Sequence, residues 1–362
     1  MVNYPFIKGL KLSEIFYEEA VKPILAARFP RLTYSAGRLD GGSDVLGFDT
    51  PQSMDHDWGP KLTLFLAEAD YQTCKDEIDH VLRQELPYEI HGYSTNFVYH
   101  DDGTTWMHAI NAGPVNHNIK IDTVRAFFED YLRFTPQQNL RPADWLTFPE
   151  QRLRTITSGR VFYDGLGELG PIRAKLHYYP HQVWLYLLAT QWQRLSQEEP
   201  FVGRCGQAGD DLGSAVVAAR LVRDVMKLCF LQEQQYAPYT KWLGTAFAQL
   251  ACAAELTPLL TQVLRAVSWQ EREKHLTPAY EFVARMHNGL GITDPLPAQV
   301  SHFHERPFLV IQAGNFAEAI RATITDTEML ALPEHVGAID QFVDSTDVLS
   351  NPERFSKIKA MY

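Results

Sequence analysis

Beyond Arg141-Pro142 the apolar residues of this chain stop alternating and begin to recur every three or four positions, and that change of period fixes what each part can fold into. Leu212, Val216, Ala219, Val222, Val225, Met226, Cys229 and Phe230 draw one stripe along a long helix ending near Tyr236-Ala237-Pro238. From Trp242 through Leu250, Leu260 and Val267 a second stripe follows, with Pro258 as its expected interruption. The segment from His181 to Trp192 is apolar nearly all round and predicts a buried helix. Before the change, Lys61 to Leu66, Phe97-Val98-Tyr99 and Ile119-Lys120-Ile121-Asp122 read as strands, and Leu32 to Ala36 as a shorter one. Helices are expected over 12–29, with Ser13 as cap and Pro30 as stop, and over Tyr71 to Arg83. Later, Phe308 to Ile311 and a helix around Asn315 to Ile324 close the chain. The expected architecture is α+β: a mixed sheet with flanking helices over 1–140, a helical bundle over 141–294, and a C-terminal segment over 295–362 packed on what precedes it.

With 362 residues, 45% of them hydrophobic, the chain can bury a sizeable core. Its 33 Lys and Arg against 44 Asp and Glu leave a net charge of −11, and no basic run appears. A long nucleic acid is therefore not an expected partner, since phosphate neutralisation needs clustered cations. The acidic balance favours a small or cationic one. Cys74, Cys205, Cys229 and Cys252 form no CxxC and read as reduced structural thiols. No apolar run reaches about 18 residues, and the first residues lack a basic start followed by an apolar stretch. No membrane partner is expected, and the cytoplasm is the expected location.

Within the first part, Gly41-Gly42-Ser43 is followed after eleven residues by Asp55-His56-Asp57. Small residues let backbone N–H groups approach phosphate oxygens without a Cβ in the way, and Ser43 adds a hydroxyl. Aspartates are hard oxygen ligands for Mg²⁺, which binds best when substrate phosphates complete its shell. If 55–57 is extended, Asp55 and Asp57 share a face. Transfer of a nucleoside monophosphate needs a held triphosphate, metal and a positioned acceptor hydroxyl, and three carboxylates around two metals meet that demand. Asp122 is the candidate third carboxylate. Lys61 is a candidate phosphate contact, though an exposed strand lysine fits as well. The bland reading of the whole cluster is an acidic surface turn. Asp49 or Ser53 is expected to hold the loop through side chain to backbone bonds.

Other candidates have simpler explanations. His302 and His304 read as surface histidines without a third ligand. Asp210 and Asp211 read as a helix cap. Asp164 and Glu168 lie in a Gly-rich turn, with a general-base role as the alternative. The segment Tyr236 to Trp242 either stacks a base or sugar or fills a helix junction.

Gly42-Ser43, the gap and Asp55-x-Asp57 resemble the signature of the DNA polymerase β-like nucleotidyltransferase superfamily. The fuller string, Gly42 to Gly47 and Ser53 to Pro60, resembles a poorly characterised bacterial branch with a C-terminal helical domain of unknown function, a likeness that continues through Tyr236–Trp242 and Gly337–Thr346. The resemblance implies a nucleotidyltransferase-like mixed sheet followed by a helical domain that presents the acceptor. It also implies Mg²⁺-dependent transfer of a nucleoside monophosphate from ATP or another NTP to a hydroxyl of a small molecule or a protein. Gly42, Ser43, Asp55 and Asp57 carry over by motif. His56 and Trp58 depart from the apolar residues that flank the acidic pair in many members, which implies a different local packing. A catalytically silent nucleotide-binding or interaction protein is the rival reading.

Overall fold

The computed structural model describes residues 5–362, and the fold is α+β with two compact units. One runs up to Asn139 and takes in Arg152–His177; the other comprises Leu140–Gln151 and Tyr178–Tyr362. A helical domain continuous over 141–294 is therefore interrupted, because a strand at Arg160–Asp164 pairs with the first strand of the sheet.

The first unit opens with α1 (Gly9–Phe16), a π-helical turn (Tyr17–Val21) and α2 (Lys22–Arg28). Pro23, which has no N–H to donate, is the second residue of α2, just after the turn where the α-helical ladder is already broken. Ser13 lies buried inside α1 and is not its cap. Strand β1 (Tyr34–Arg38), the short α3 (Ser43–Leu46), β2 (Lys61–Leu66) and α4 (Glu68–Glu85) come next. Two small hairpins follow, β3 (Glu89–Ile90) with β4 (Tyr93–Ser94) and β5 (Phe97–Tyr99) with β6 (Thr105–Met107). After β7 (Asn118–Thr123) and α5 (Val124–Leu132), the chain returns with β8 (Arg160–Asp164). Sheet order is β7-β2-β1-β8, with β2 and β7 parallel and β1 antiparallel to both its neighbours.

Alternation explains the packing. Leu62, Leu64 and Leu66 share one face of β2 and join Ile119 and Ile121 of β7 in a core with Leu12, Phe16, Ile78 and Leu82. Burial of each such side chain contributes about 1.5–3 kcal/mol. On the other face, Phe65 meets the edge of Phe127 at 5.3 Å between ring centroids.

Helices build the second unit, apart from a short pairing of Ser301–His302 with Leu309–Val310: α6 (Pro142–Thr147), the start of α7 (Glu150–Ser158), then, after α8 (Leu169–Lys175) of the first unit, α9 (His181–Glu198), α10 (Phe201–Gln207) and α11 (Asp211–Gln232). They are followed by α12 (Thr240–Phe247), α13 (Ala253–Arg265), α14 (Trp269–Leu290) and α15 (Ala313–Arg321). The second expected stripe breaks between α12 and α13, whereas Pro258 lies inside α13. On α11 the expected stripe is buried at Val222, Val225, Cys229 and Phe230 and half-buried at Met226, while Leu212, Val216 and Ala219 are exposed; Ala218, Leu221 and Leu228 complete the buried face. Among the described residues no helix is long and apolar enough to cross a membrane.

Candidate functional site

The end of β1 and the turn after it form a clamped loop. Arg38, the last residue of β1, is 2% exposed. It donates from Nε to Asp44 Oδ2 at 3.0 Å and from Nη2 to the Gly41 carbonyl at 2.9 Å, and its guanidinium also pairs with Asp40. Burial pushes the Asp44 carboxyl up, but the charges of Arg38 and Lys61 more than offset it, so its pKa lies below the usual carboxylate value. Gly42 has φ +155°, and a Cβ there would lie 2.0 Å from Asp44 Oδ1. A Cβ on Gly41 would meet nothing within 4 Å. The turn thus has one residue packed against the clamp and one facing open space.

Behind the turn, Asp49 is fully buried and accepts the Gly9 N–H at 2.7 Å and the Trp58 indole N–H at 3.0 Å. The Ser53 hydroxyl accepts the Thr50 N–H at 3.0 Å. Both loop-holding roles expected for these residues are present. Trp58 is itself core, stacked on Phe6 and edge-on to Tyr93, so this departure from the motif is an anchor for the loop.

Asp55, His56 and Asp57 are exposed, and they are not a strand. Asp55 ends a 3₁₀ turn (Pro51–Asp55), His56 is extended, and Asp57 has φ +51°, so simple alternation does not place the two carboxylates. The His56 ring contacts Asp55 Oδ1 at 3.0 Å. Asp57 Oδ1 accepts both the N–H and the hydroxyl of Thr105, at 2.8 and 3.0 Å, which ties the acidic loop to β6. Lys61 donates to the Asp57 carbonyl. Burial and the nearby Arg38 push its ammonium down to about 8, against the opposing charges of Asp44 and Asp57. Lys61 therefore links the turn to the acidic loop electrostatically.

Asp122 lies elsewhere. In the parallel pairing Lys61 is level with Asn118 and Phe65 with Asp122, so Asp122 stands four residues, about 13 Å, further along the strands. The Asn118 amide donates to Thr105 Oγ1 at 3.4 Å, which puts the Asp57 partner at the Asn118 end. Asp122 itself bonds the Thr123 N–H at 2.9 Å and Lys120 at 3.0 Å. Lys61 joins the two loops through Asp44, which follows Gly42-Ser43, and through the Asp57 carbonyl, whereas Asp122 stands further along the strands. Among the described residues no three His, Cys, Asp or Glu side chains converge as a metal site.

Three carboxylates around two metals do not fit Asp122 where it stands; a single Mg²⁺ would find hard oxygen ligands in Asp55 and Asp57 and be completed by substrate phosphates.

Sequence reasoning missed Arg38 and Thr105. Arg38 carried a signal, since it shares the Ala36 face and stands just before Asp40-Gly41-Gly42, but the expected strand stopped short of it. Thr105 reaches Asp57 across 48 residues, a contact no local pattern announces. The weaker candidates take structural roles. Asp164 accepts the Ser35 hydroxyl at 2.8 Å and the Gly170 N–H at 2.9 Å. Asp210 caps α11 through the Gly213 N–H at 2.7 Å. Tyr236 packs with Tyr178 and Tyr179 inside the second unit.

Residues 145–243 match a family described as a domain of unknown function, DUF4037. No curated protein matches the sequence. Among solved structures, a nucleotidyltransferase-like protein from Exiguobacterium sibiricum 255-15 aligns over 82% of this chain and 83% of its own, with 10% identity and a TM-score of 0.31. At that score the overlay decides nothing about activity.

Proposed function

We propose that this chain binds a nucleoside triphosphate, ATP or another, at the Gly41–Ser43 turn and transfers its nucleoside monophosphate to a hydroxyl of a small molecule or a protein. The observation that carries the reading is the meeting of turn and acidic loop at Lys61, whose ammonium interacts with Asp44 on one side and bonds the Asp57 carbonyl on the other. Gly42 and Ser43 would offer backbone N–H groups and a hydroxyl to the phosphates, and Lys61 a positive charge. Asp55 and Asp57 would hold Mg²⁺, which supplies charge neutralisation at the phosphates. Thr105, by fixing one oxygen of Asp57, would leave the other as the ligand. The net charge of −11 favours a cationic acceptor over an anionic one.

The placement of Asp122 favours a second reading, a nucleotide-binding protein without transfer chemistry, because the third carboxylate of a paired-metal site is not at hand. Incubation with each labelled triphosphate, Mg²⁺ and candidate acceptors separates the two. Pyrophosphate release by the wild type and its loss in Asp55→Asn plus Asp57→Asn support transfer. Release that survives the double change rules out this mechanism, and binding without release leaves the second reading.

A further inference from the structure

The Arg38 guanidinium spends its donors on the turn. Its Nε and Nη2 reach Asp44 at 3.0 and 3.3 Å, Nη2 also reaches the Gly41 carbonyl at 2.9 Å, and Nη1 pairs with Asp40. These contacts lie on both sides of Gly42, in the sequence Asp40-Gly41-Gly42-Ser43-Asp44. The side chains of Arg38 and Asp44 are only 3% and 2% exposed. A buried ion pair is weak evidence for stability, since desolvation offsets much of the attraction, and its better-attested use is to select one local geometry. Gly42 shows how tight that geometry is: an added Cβ would approach Asp44 Oδ1 at 2.0 Å and Arg38 Nη2 at 2.8 Å.

We propose that Arg38 is a positioning residue for polyphosphate binding, setting the Gly41–Ser43 backbone through Asp44 and the Gly41 carbonyl. The inference rests on the proposed phosphate-binding role of this turn. In this role Arg38 acts through the backbone of the turn: its planar fork holds Asp44 and the Gly41 carbonyl at once. A lysine keeps the charge but, as a single ammonium on a flexible stem, does not reproduce the fork. Asp44 is the other half of the clamp. Its loss has the same consequence without changing Arg38.

The test uses the full chain as wild type, Arg38→Lys, Asp44→Asn and the double variant. Affinity for inorganic tripolyphosphate with Mg²⁺ is measured by calorimetry, and amide exchange is followed on peptides covering 39–48, 61–66 and 118–123. Each single change is expected to weaken tripolyphosphate at least about tenfold, with the double variant no weaker than the worse single one, as for two parts of one unit. Exchange should rise over 39–48 and stay unchanged over the strands at 61–66 and 118–123, whereas a general structural role would raise all three. Binding within about twofold of wild type in both single variants overturns the proposal, as does unchanged exchange over 39–48. If Arg38→Lys does not fold, Asp44→Asn decides. A wild type that binds no tripolyphosphate refutes the phosphate-binding reading itself, and the exchange pattern still shows whether Arg38 sets the turn.

Discussion

The Trp58 indole N–H donates to Asp49 Oδ2 at 3.0 Å, with both side chains buried between α1 and the loop that carries the acidic residues. The same oxygen takes the Gly9 N–H at 2.7 Å, so one carboxylate joins the start of α1 to the chain just before β2. Trp58→Phe keeps an aromatic ring but removes a donor to a buried charged acceptor, a change that costs about 1.5–3 kcal/mol. Urea unfolding should show that loss with little change in slope. A variant as stable as wild type would mean that Asp49 does not depend on the indole.

Asp55 and Asp57 differ in what holds them. Asp57 accepts two bonds from Thr105 and takes φ +51°, a backbone region that alanine disfavours, whereas among the described residues Asp55 is bonded only to His56 beside it. Asp57→Ala should therefore lose about 1–2 kcal/mol of stability, and Asp55→Ala less than about 0.5 kcal/mol. Both should abolish pyrophosphate release. Loss of release in Asp55→Ala with an unchanged melting curve identifies a functional carboxylate; retained release removes Asp55 from the site.

The contrast shows where local sequence suffices. Lys61 to Leu66 reads as a strand because its apolar residues alternate, and the structure has that strand with those bounds. His181 to Trp192 is apolar nearly all round, and Val183 to Trp192 are buried in α9. The helix α14 escaped notice because its sequence is rich in Glu, Lys, Arg and His, and even a buried member, Arg272, is charged, bonding Ser214 at 3.0 Å. Strand β8 escaped because its reason for being a strand is the edge of β1, more than a hundred residues earlier. At the candidate site the motif marked the turn and the acidic loop, but the groups that fix their geometry, Arg38, Trp58 and Thr105, act through contacts that only the folded sheet creates.

Acid should weaken the fold before carboxylates protonate. His287 is fully buried in the second unit, in contact with Trp192 and Phe316, and burial pushes its imidazolium down to about 4. In the first unit, burial likewise lowers His117 to about 4, with Asp79 opposing. For a pKa depressed on folding, the unfolded chain takes up the proton first. Stability is then fully present above about 6.5 and falls as pH drops toward 4. Between pH 7.5 and pH 5 His287 should account for about 2 kcal/mol of lost unfolding free energy, with His117 adding to the loss in the same direction. His287→Phe, which suits the aromatic surroundings, should flatten that part of the profile. An unchanged slope in the variant would show that His287 titrates normally.

Asp122 is the position at which the two functional readings separate. It is level with Phe65 in the parallel pairing, its carboxylate is bonded to Thr123 and Lys120, and Asp57 sits toward the other end of those strands. If transfer depends on a single ion at Asp55 and Asp57, Asp122→Asn should change the rate of pyrophosphate release by less than about threefold, while Asp57→Asn lowers it at least about a hundredfold, near 2.7 kcal/mol of barrier. Quench-flow measurement at saturating triphosphate and Mg²⁺ compares the chemical step directly. A drop in Asp122→Asn as deep as in Asp57→Asn would mean that β7 moves against β2 in the working enzyme and brings the third carboxylate in. That result would restore the paired-metal site which the present register keeps apart.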